Sequence, residues 1–289
     1  MSAPPPICVL PAPAAAPPVP CVRRLRPRWR DRHAAPLRDF PIRDEVLLQF
    51  LPLPSSSAVL ELGPGCGYTA YWLAPQVRRL ALVDIAAAAL GELRQVLLGR
   101  GRIEYAVGDI SQPGSPAGLR GGFDAAFGLD VFEYVADPGV ALRNLCGLLR
   151  SGGELLLSFP NFPSGEGDGA IRFASTDELA DLLRQAGFSR WRISTIRLRL
   201  GPRALYAAAH EWPLFLLRQL RRSAGKPRTY DGTWAFQARR RMARLRPVLH
   251  LYWMVLDRLL APLAPVFAAH PESAGAALLR RQVLVEAWK

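Results

Sequence analysis

The sequence predicts an α/β fold, a doubly wound and mostly parallel sheet with helices on both faces. Three observations carry this. Short apolar runs alternate with helix-compatible segments between Ala58 and Leu200. The connections between them are short, as in βαβ units. A glycine cluster follows the first apolar run, where an α/β sheet makes its first strand-to-helix turn.

The elements follow in order. Eight prolines and no charged side chain occupy residues 1–22, which cannot sustain a helix or a ladder. We assign 1–39 to a disordered Pro/Arg-rich tail. It lacks the apolar h-region of a signal peptide. Asp44 to Leu51 has helical apolar spacing and ends at Pro52. Ala58–Leu62, Leu80–Val83, Ile103–Val107, Phe123–Phe127, Glu154–Phe159 and Trp191–Leu200 read as strands. Tyr68–Leu73, Ala86–Leu98, Gly139–Leu149 and Thr176–Ala186 read as helices. The last of these has Ser175 or Thr176 as N-cap, Asp177 and Glu178 in its first turn, and Gly187 to close it.

The chain has 289 residues, half of them apolar, enough for one large domain with an annex. No stretch of about 18 residues is free of charge and proline as a spanning helix requires. Cys8, Cys21, Cys66 and Cys146 show neither CxxC spacing nor histidine partners. A zinc site and a disulfide framework are disfavoured, and a cytoplasmic location is expected. The net charge of +13 is uneven. Residues 1–44 hold 8 basic and 3 acidic side chains, 45–196 hold 12 and 16, and 197–260 hold 14 and 3.

The strongest local signal is Glu61-Leu62-Gly63-Pro64-Gly65-Cys66-Gly67, a strand running into three glycines at alternate positions. Glycine lets the backbone turn sharply and admits a ligand where a Cβ would stand. The dinucleotide fingerprint fails at its third glycine, where Tyr68 stands, and the phosphate-binding P-loop fails for want of a lysine. Asp84 ends the second strand, where a carboxylate can accept both hydrogen bonds of a ribose diol. Asp109 ends the third, where it can accept from an exocyclic amine such as that of adenine.

With Val107-Gly108-Asp109-Ile110, Phe123-Asp124, Leu129-Asp130, Glu133-Tyr134, Asp137-Pro138 and Gly152-Gly153, these pieces make residues 57–160 resemble the class I S-adenosylmethionine-dependent methyltransferases, in their small-molecule branch. The resemblance implies a Rossmann-like seven-stranded sheet whose reversed last strand is Arg281–Trp288. It implies S-adenosyl-L-methionine as cofactor. Gly63, Gly65 and Gly67 would line its methionine part, and Glu61 would orient that loop. Asp84 and Ile85 would bind the ribose side, Asp109 and Ile110 the adenine. Leu129 and Asp130 would border the methionine end and the acceptor pocket. Related sequences often carry His where Tyr134 stands, so a proton-transfer role does not transfer to this position. Tyr134, Glu133, His210 and His250 are candidate bases, and none is assigned. Tyr134, His210 and Trp212 are the candidate substrate contacts. No metal is implied.

On this reading the methyltransferase domain comprises 40–200 and 276–289, with a basic, apolar helical insertion at 201–275. Arg239, Arg240, Arg241, Arg244 and Arg246 adjoin a stripe of Leu249, Tyr252, Trp253, Leu256, Leu259 and Leu260 at helical spacing. Three roles stay open: a lid over the acceptor, a membrane-surface element giving peripheral contact with the inner membrane face, and a nucleic-acid grip. The third is weakest, because the aromatics sit on apolar stripes rather than among the basic residues. The expected activity is methyl transfer to a small, hydrophobic acceptor at O or C. The alternatives are an RNA methyltransferase and a non-enzymatic binding module. The RNA methyltransferase would grip phosphates with the arginine-rich insertion, and the intact glycine loop and carboxylates argue against the binding module.

Overall fold

The computed structural model describes residues 50, 51, 53–65, 67–114, 116, 118–161, 173–198 and 267–289. The tail at 1–39, all but the end of the Asp44–Leu51 segment, and residues 201–266 lie outside the described residues. So do His210, Trp212, His250 and the arginine cluster.

Among the described residues eight strands form one sheet: β1 (Ala58–Leu62), β2 (Arg79–Asp84), β3 (Ile103–Val107), β4 (Phe123–Leu129), β5 (Leu149–Asn161), β6 (Arg190–Leu198), β7 (Phe267–Pro271) and β8 (Arg281–Trp288). Their order is β3-β2-β1-β4-β5-β8-β6-β7. The pairs among β1 to β5 are parallel, while β8 runs antiparallel to both β5 and β6. The reversed strand is therefore where the sequence places it.

The expected count of seven needs correcting, because β7 is an eighth strand. It pairs antiparallel with β6, Leu198 opposite Phe267 and Ser194 opposite Pro271. It falls inside the stretch assigned to the insertion. Two alanines, a histidine and a proline give no strand signal of their own. What makes them a strand is the open edge of β6 beside them, and Pro271 sits at the end of an edge strand, where a missing donor is tolerated. Thr195 Oγ1 donates to Glu272 Oε1 at 2.6 Å and fastens that end.

Among the described residues four helices pack on the sheet: α1 (Tyr68–Leu73), α2 (Ala87–Val96), α3 (Pro138–Leu148) and α4 (Thr176–Gln185). On one face, Leu142 and Leu145 of α3 and Leu179 and Leu183 of α4 bury against Phe123, Leu155 and Leu157. On the other, Trp72 and Leu73 of α1 and Leu90 and Leu93 of α2 bury against Leu80, Leu82 and Phe127. The parallel strands are covered on both faces, so β1 is buried at every position and apolar at every one but Glu61.

Local chemistry sets the helix ends. Asp137 caps α3 by accepting from Val140 N–H at 2.9 Å, and Pro138 stands at its first position. Ser175 caps α4, and Glu178 reaches back to accept from Ala174 N–H at 2.7 Å. Gly187, with φ +99°, lets the chain turn out of α4.

β5 is longer than its Glu154–Phe159 apolar run suggests. Its first residues pair with Phe123 before a register shift, and its last, Asn161, pairs with Arg281. Ladder partners, not its own composition, extend it.

Candidate functional site

The carboxyl ends of β3, β2, β1 and β4 lie side by side, and each presents one sequence-predicted residue or loop. Backbone bonds tie these ends together. Gly63 N–H donates to Val83 O at 2.9 Å, and Gly108 N–H donates to Asp84 O at 3.0 Å.

The glycine loop follows β1. Gly63, Gly65 and Gly67 have φ of +62°, +54° and +76°, the left-handed region that favours glycine. They differ in what surrounds them. A Cβ on Gly63 would meet Val131 Cγ2 at 2.3 Å, and one on Gly67 would meet Leu93 Cδ2 at 2.5 Å. A Cβ on Gly65 would meet nothing within 4 Å among the described residues. The outer two glycines let the loop pack down, and the middle one borders open space. Glu61 lies buried two residues before the loop, in register with Leu82 and Phe127.

Asp84 closes β2 half-buried, its Oδ1 accepting from Ala86 N–H at 2.9 Å. Burial pushes its carboxyl above the ordinary range, against the lowering effect of the Ala86 and Ile85 amides. Next to it Ile85 is 72% exposed, a large apolar side chain held in the open at the rim.

Asp109 follows β3. Its Oδ1 accepts from Ser111 Oγ at 2.6 Å and from Ser111 N–H at 2.9 Å. The Ser111 hydroxyl bond leads in holding this carboxyl below its usual range. One oxygen of Asp109 is thus already committed to its own turn. Ile110 is 3% exposed, its side chain in the core and its carbonyl accepting from Asn144 Nδ2 at 2.8 Å. What Ile110 offers a ligand is backbone.

Leu129 is buried at the end of β4, and Asp130 follows with φ +53°, unusual for a non-glycine residue. Asp130 N–H donates to Ser158 O at 2.7 Å. Its Oδ1 accepts from Gln282 Nε2 at 2.9 Å, with Ser158 Oγ at 3.5 Å. Phe132–Tyr134 then forms a short 3-10 turn, with Glu133 buried and Tyr134 48% exposed.

The structure therefore brings Glu61, the three glycines, Asp84, Ile85, Asp109, Ile110, Leu129, Asp130 and Tyr134 to one edge of the sheet. His210 and Trp212 lie outside the described residues. Sequence reasoning missed Val131, Ser158 and Gln282. Their only sequence signal was position: one residue past Asp130, and at the ends of two strands that meet this edge. Among the described residues no group of three or more His, Cys, Asp or Glu side chains is placed to hold a metal ion.

These residues fit an adenosyl cofactor. The left-handed Gly65 borders open space that a side chain would enter, a carboxylate stands at the next strand end, and an exposed apolar side chain beside it offers a surface for a flat base.

A family model described as a methyltransferase domain matches residues 29–193. The ubiquinone biosynthesis O-methyltransferase of Xanthomonas axonopodis pv. citri (strain 306) is 28% identical over 141 residues, covering 47% of this chain and 58% of the relative. The enzyme of the same name from Dechloromonas aromatica (strain RCB) is also 28% identical over 141 residues, covering 47% and 60%. The chain thus spans about three fifths of the length of these curated relatives. Among solved structures, a possible histamine N-methyltransferase from Thermotoga maritima is 16% identical, with 90% of each chain covered and a TM-score of 0.46. Haemonchus contortus phosphoethanolamine N-methyltransferase 2 is 15% identical, with 84% and 51% covered and a TM-score of 0.47. The family match takes in more than half of the chain, from before the glycine loop into β6, so this protein belongs to the methyltransferase-domain family, the class I S-adenosylmethionine-dependent methyltransferases.

Proposed function

We propose that this protein transfers a methyl group from S-adenosylmethionine to a small, apolar acceptor, at oxygen or carbon. One observation carries the reading: a glycine loop and acidic residues stand at four adjacent strand ends, in the order Asp109, Asp84, Gly63–Gly67, Asp130. An elongated nucleoside with a cationic tail matches that row.

When bound, the cofactor would supply a methyl carbon on a sulfonium, open to in-line attack by an acceptor electron pair, with the S–CH3 bonding pair going to the departing thioether and the acceptor's proton lost to solvent or a base. The chain's own residues bind and align. Asp84 would accept from the ribose diol. The Ile85 side chain would pack on the base, and Asp109 and the Ile110 backbone would meet its polar edge. Gly65 would leave room for the methionine part, and Asp130 and Tyr134 would border the acceptor side. Alignment of this kind can lower a barrier by about 7–11 kcal/mol.

The acceptor class draws support from two sides. The relatives matching at 28% identity are O-methyltransferases of ubiquinone biosynthesis by name. The chain between Leu198 and Phe267 is rich in Leu, Trp and Arg, and its two ends leave the sheet beside Gln282, at the edge that bears the glycine loop. We propose that this basic and apolar segment serves the acceptor, with peripheral membrane contact for a lipidic one. No helix among the described residues is long and apolar enough to cross a membrane.

Isothermal calorimetry with S-adenosylhomocysteine tests the cofactor site. Wild type should bind and Asp84→Ala should bind much more weakly; equal affinity would remove the ribose assignment. Liposome flotation of the full chain and a variant lacking 201–266 tests the surface contact, and equal flotation would end that part of the reading. Affinity for RNA that falls steeply with salt would favour a nucleic-acid acceptor instead.

A further inference from the structure

The reversed last strand brings a side chain to the cofactor edge. Because β8 is antiparallel to β5, its first residues lie where the parallel strands end. Gln282 stands there, opposite Pro160 of β5 and Ile196 of β6. Its Nε2 donates to Asp130 Oδ1 at 2.9 Å and to Ser158 Oγ at 3.3 Å, and Ser158 Oγ is 3.5 Å from the same Oδ1. The Asp130 main chain is held as well, its N–H donating to Ser158 O at 2.7 Å. Side chain and backbone are clamped together at a φ of +53°, and such strained conformations persist where neighbours over-determine them.

The sheet order says what this clamp faces. Asp109 and Asp84 close β3 and β2, on one side of β1; Asp130 closes β4, on the other. A cofactor whose adenosine lies over β3 and β2 directs its sulfonium end past the glycine loop toward β4. Asp130 is a carboxylate on that side, at the strand end itself.

We propose that Gln282 and Ser158 are positioning residues that hold the Asp130 carboxylate in place at the end of β4, beside the methyl-bearing end of the cofactor, so that the site prefers the cationic sulfonium to its neutral thioether product. The inference rests on the S-adenosylmethionine reading above. Its consequence is selectivity. The negative charge attracts S-adenosylmethionine more than S-adenosylhomocysteine, which helps spent cofactor to leave.

The test needs no acceptor. Calorimetry on the full chain compares S-adenosylhomocysteine with sinefungin, whose ammonium group stands in place of the S-methyl. Wild type should bind sinefungin about tenfold tighter, about 1.4 kcal/mol. Gln282→Met removes the donor at similar length and should cut that ratio to about threefold or less, roughly 0.7 kcal/mol, with a smaller change for the neutral ligand. Asp130→Asn keeps an oxygen for the Gln282 amide but removes the charge, and should cut the ratio at least as far; it decides the matter if Gln282→Met does not fold. A ratio unchanged in a folded variant overturns the positioning role and leaves the cofactor reading intact. Failure of wild type to bind S-adenosylhomocysteine overturns both.

Discussion

Val131 lies so close over Gly63 that a Cβ on the glycine would come within 2.3 Å of its Cγ2. The loop after β1 and the loop after β4 are thereby locked at van der Waals contact, which sets the width of the cradle between them. Gly63→Ala should add overpacking of about 1–3 kcal/mol to left-handed strain of roughly 1–2 kcal/mol, lowering the thermal midpoint and the affinity for S-adenosylhomocysteine together. Gly65→Ala meets no atom of the described residues within 4 Å, so it should show the strain alone, while its methyl group enters the ligand's space. A thermal scan and a calorimetric titration of both variants check this. Equal loss of stability in the two would contradict the packing argument.

Asp84 is separable from the fold. Asp84→Asn keeps an oxygen to accept the Ala86 N–H and so should leave the thermal midpoint nearly unchanged. Cofactor affinity should drop by roughly 1.5–3 kcal/mol, the worth of hydrogen bonds to a charged group. Because burial raises this carboxyl, protonation as the pH falls should weaken S-adenosylhomocysteine binding in wild type and change it little in Asp84→Asn. Titrations at several pH values would show whether the two curves diverge.

Away from the site, Glu154 carries a pH signature. Burial first, then the nearby Glu286 carboxylate, push it from an ordinary 4.5 up to about 7. Glu286 is raised by burial too, partly offset by Arg192, whose Nη1 lies 3.4 Å from its Oε2. A raised carboxyl favours the folded state fully below its unfolded value. That contribution is lost as the pH climbs from 4.5 through about 7. Glu154→Gln mimics the protonated form, so it should raise the thermal midpoint at pH 8 by roughly 2–4 °C per kcal/mol recovered. At pH 4 it should have little effect. A shift of the same size at both ends of the range would refute the assignment.

Asn161 ties the end of β5 to Phe173. It is 0% exposed; its Nδ2 donates to Phe173 O at 2.8 Å and its Oδ1 accepts from Phe173 N–H at 3.0 Å. Asn161→Ala leaves both backbone groups buried and unmet, at about 1–3 kcal/mol each. Chemical denaturation should report a loss of that order, and a loss well below about 1 kcal/mol would mean that the two groups find other partners.

Much of this architecture was legible in the residues, and the reasons are local. The Gly63–Gly67 turn, the carboxylates at strand ends and the Ser175 cap each act within a few positions of themselves, so period and punctuation reveal them. Asp109 shows the limit of such reading. Its place after β3 suggests a ligand contact, yet Ser111, two residues on, already takes one of its oxygens.

Sequence alone determined the alternation of strands and helices, the glycine turn and the row of acidic residues, because backbone conformation and side-chain period are short-range properties. Tertiary structure alone decided that Phe267–Pro271 pairs with β6, that Val131 seats on Gly63 and that Gln282 reaches Asp130 across 152 positions. Those relationships come from strand order and register, and hydrogen bonds and van der Waals contact act over a few ångströms of space whatever the distance along the chain.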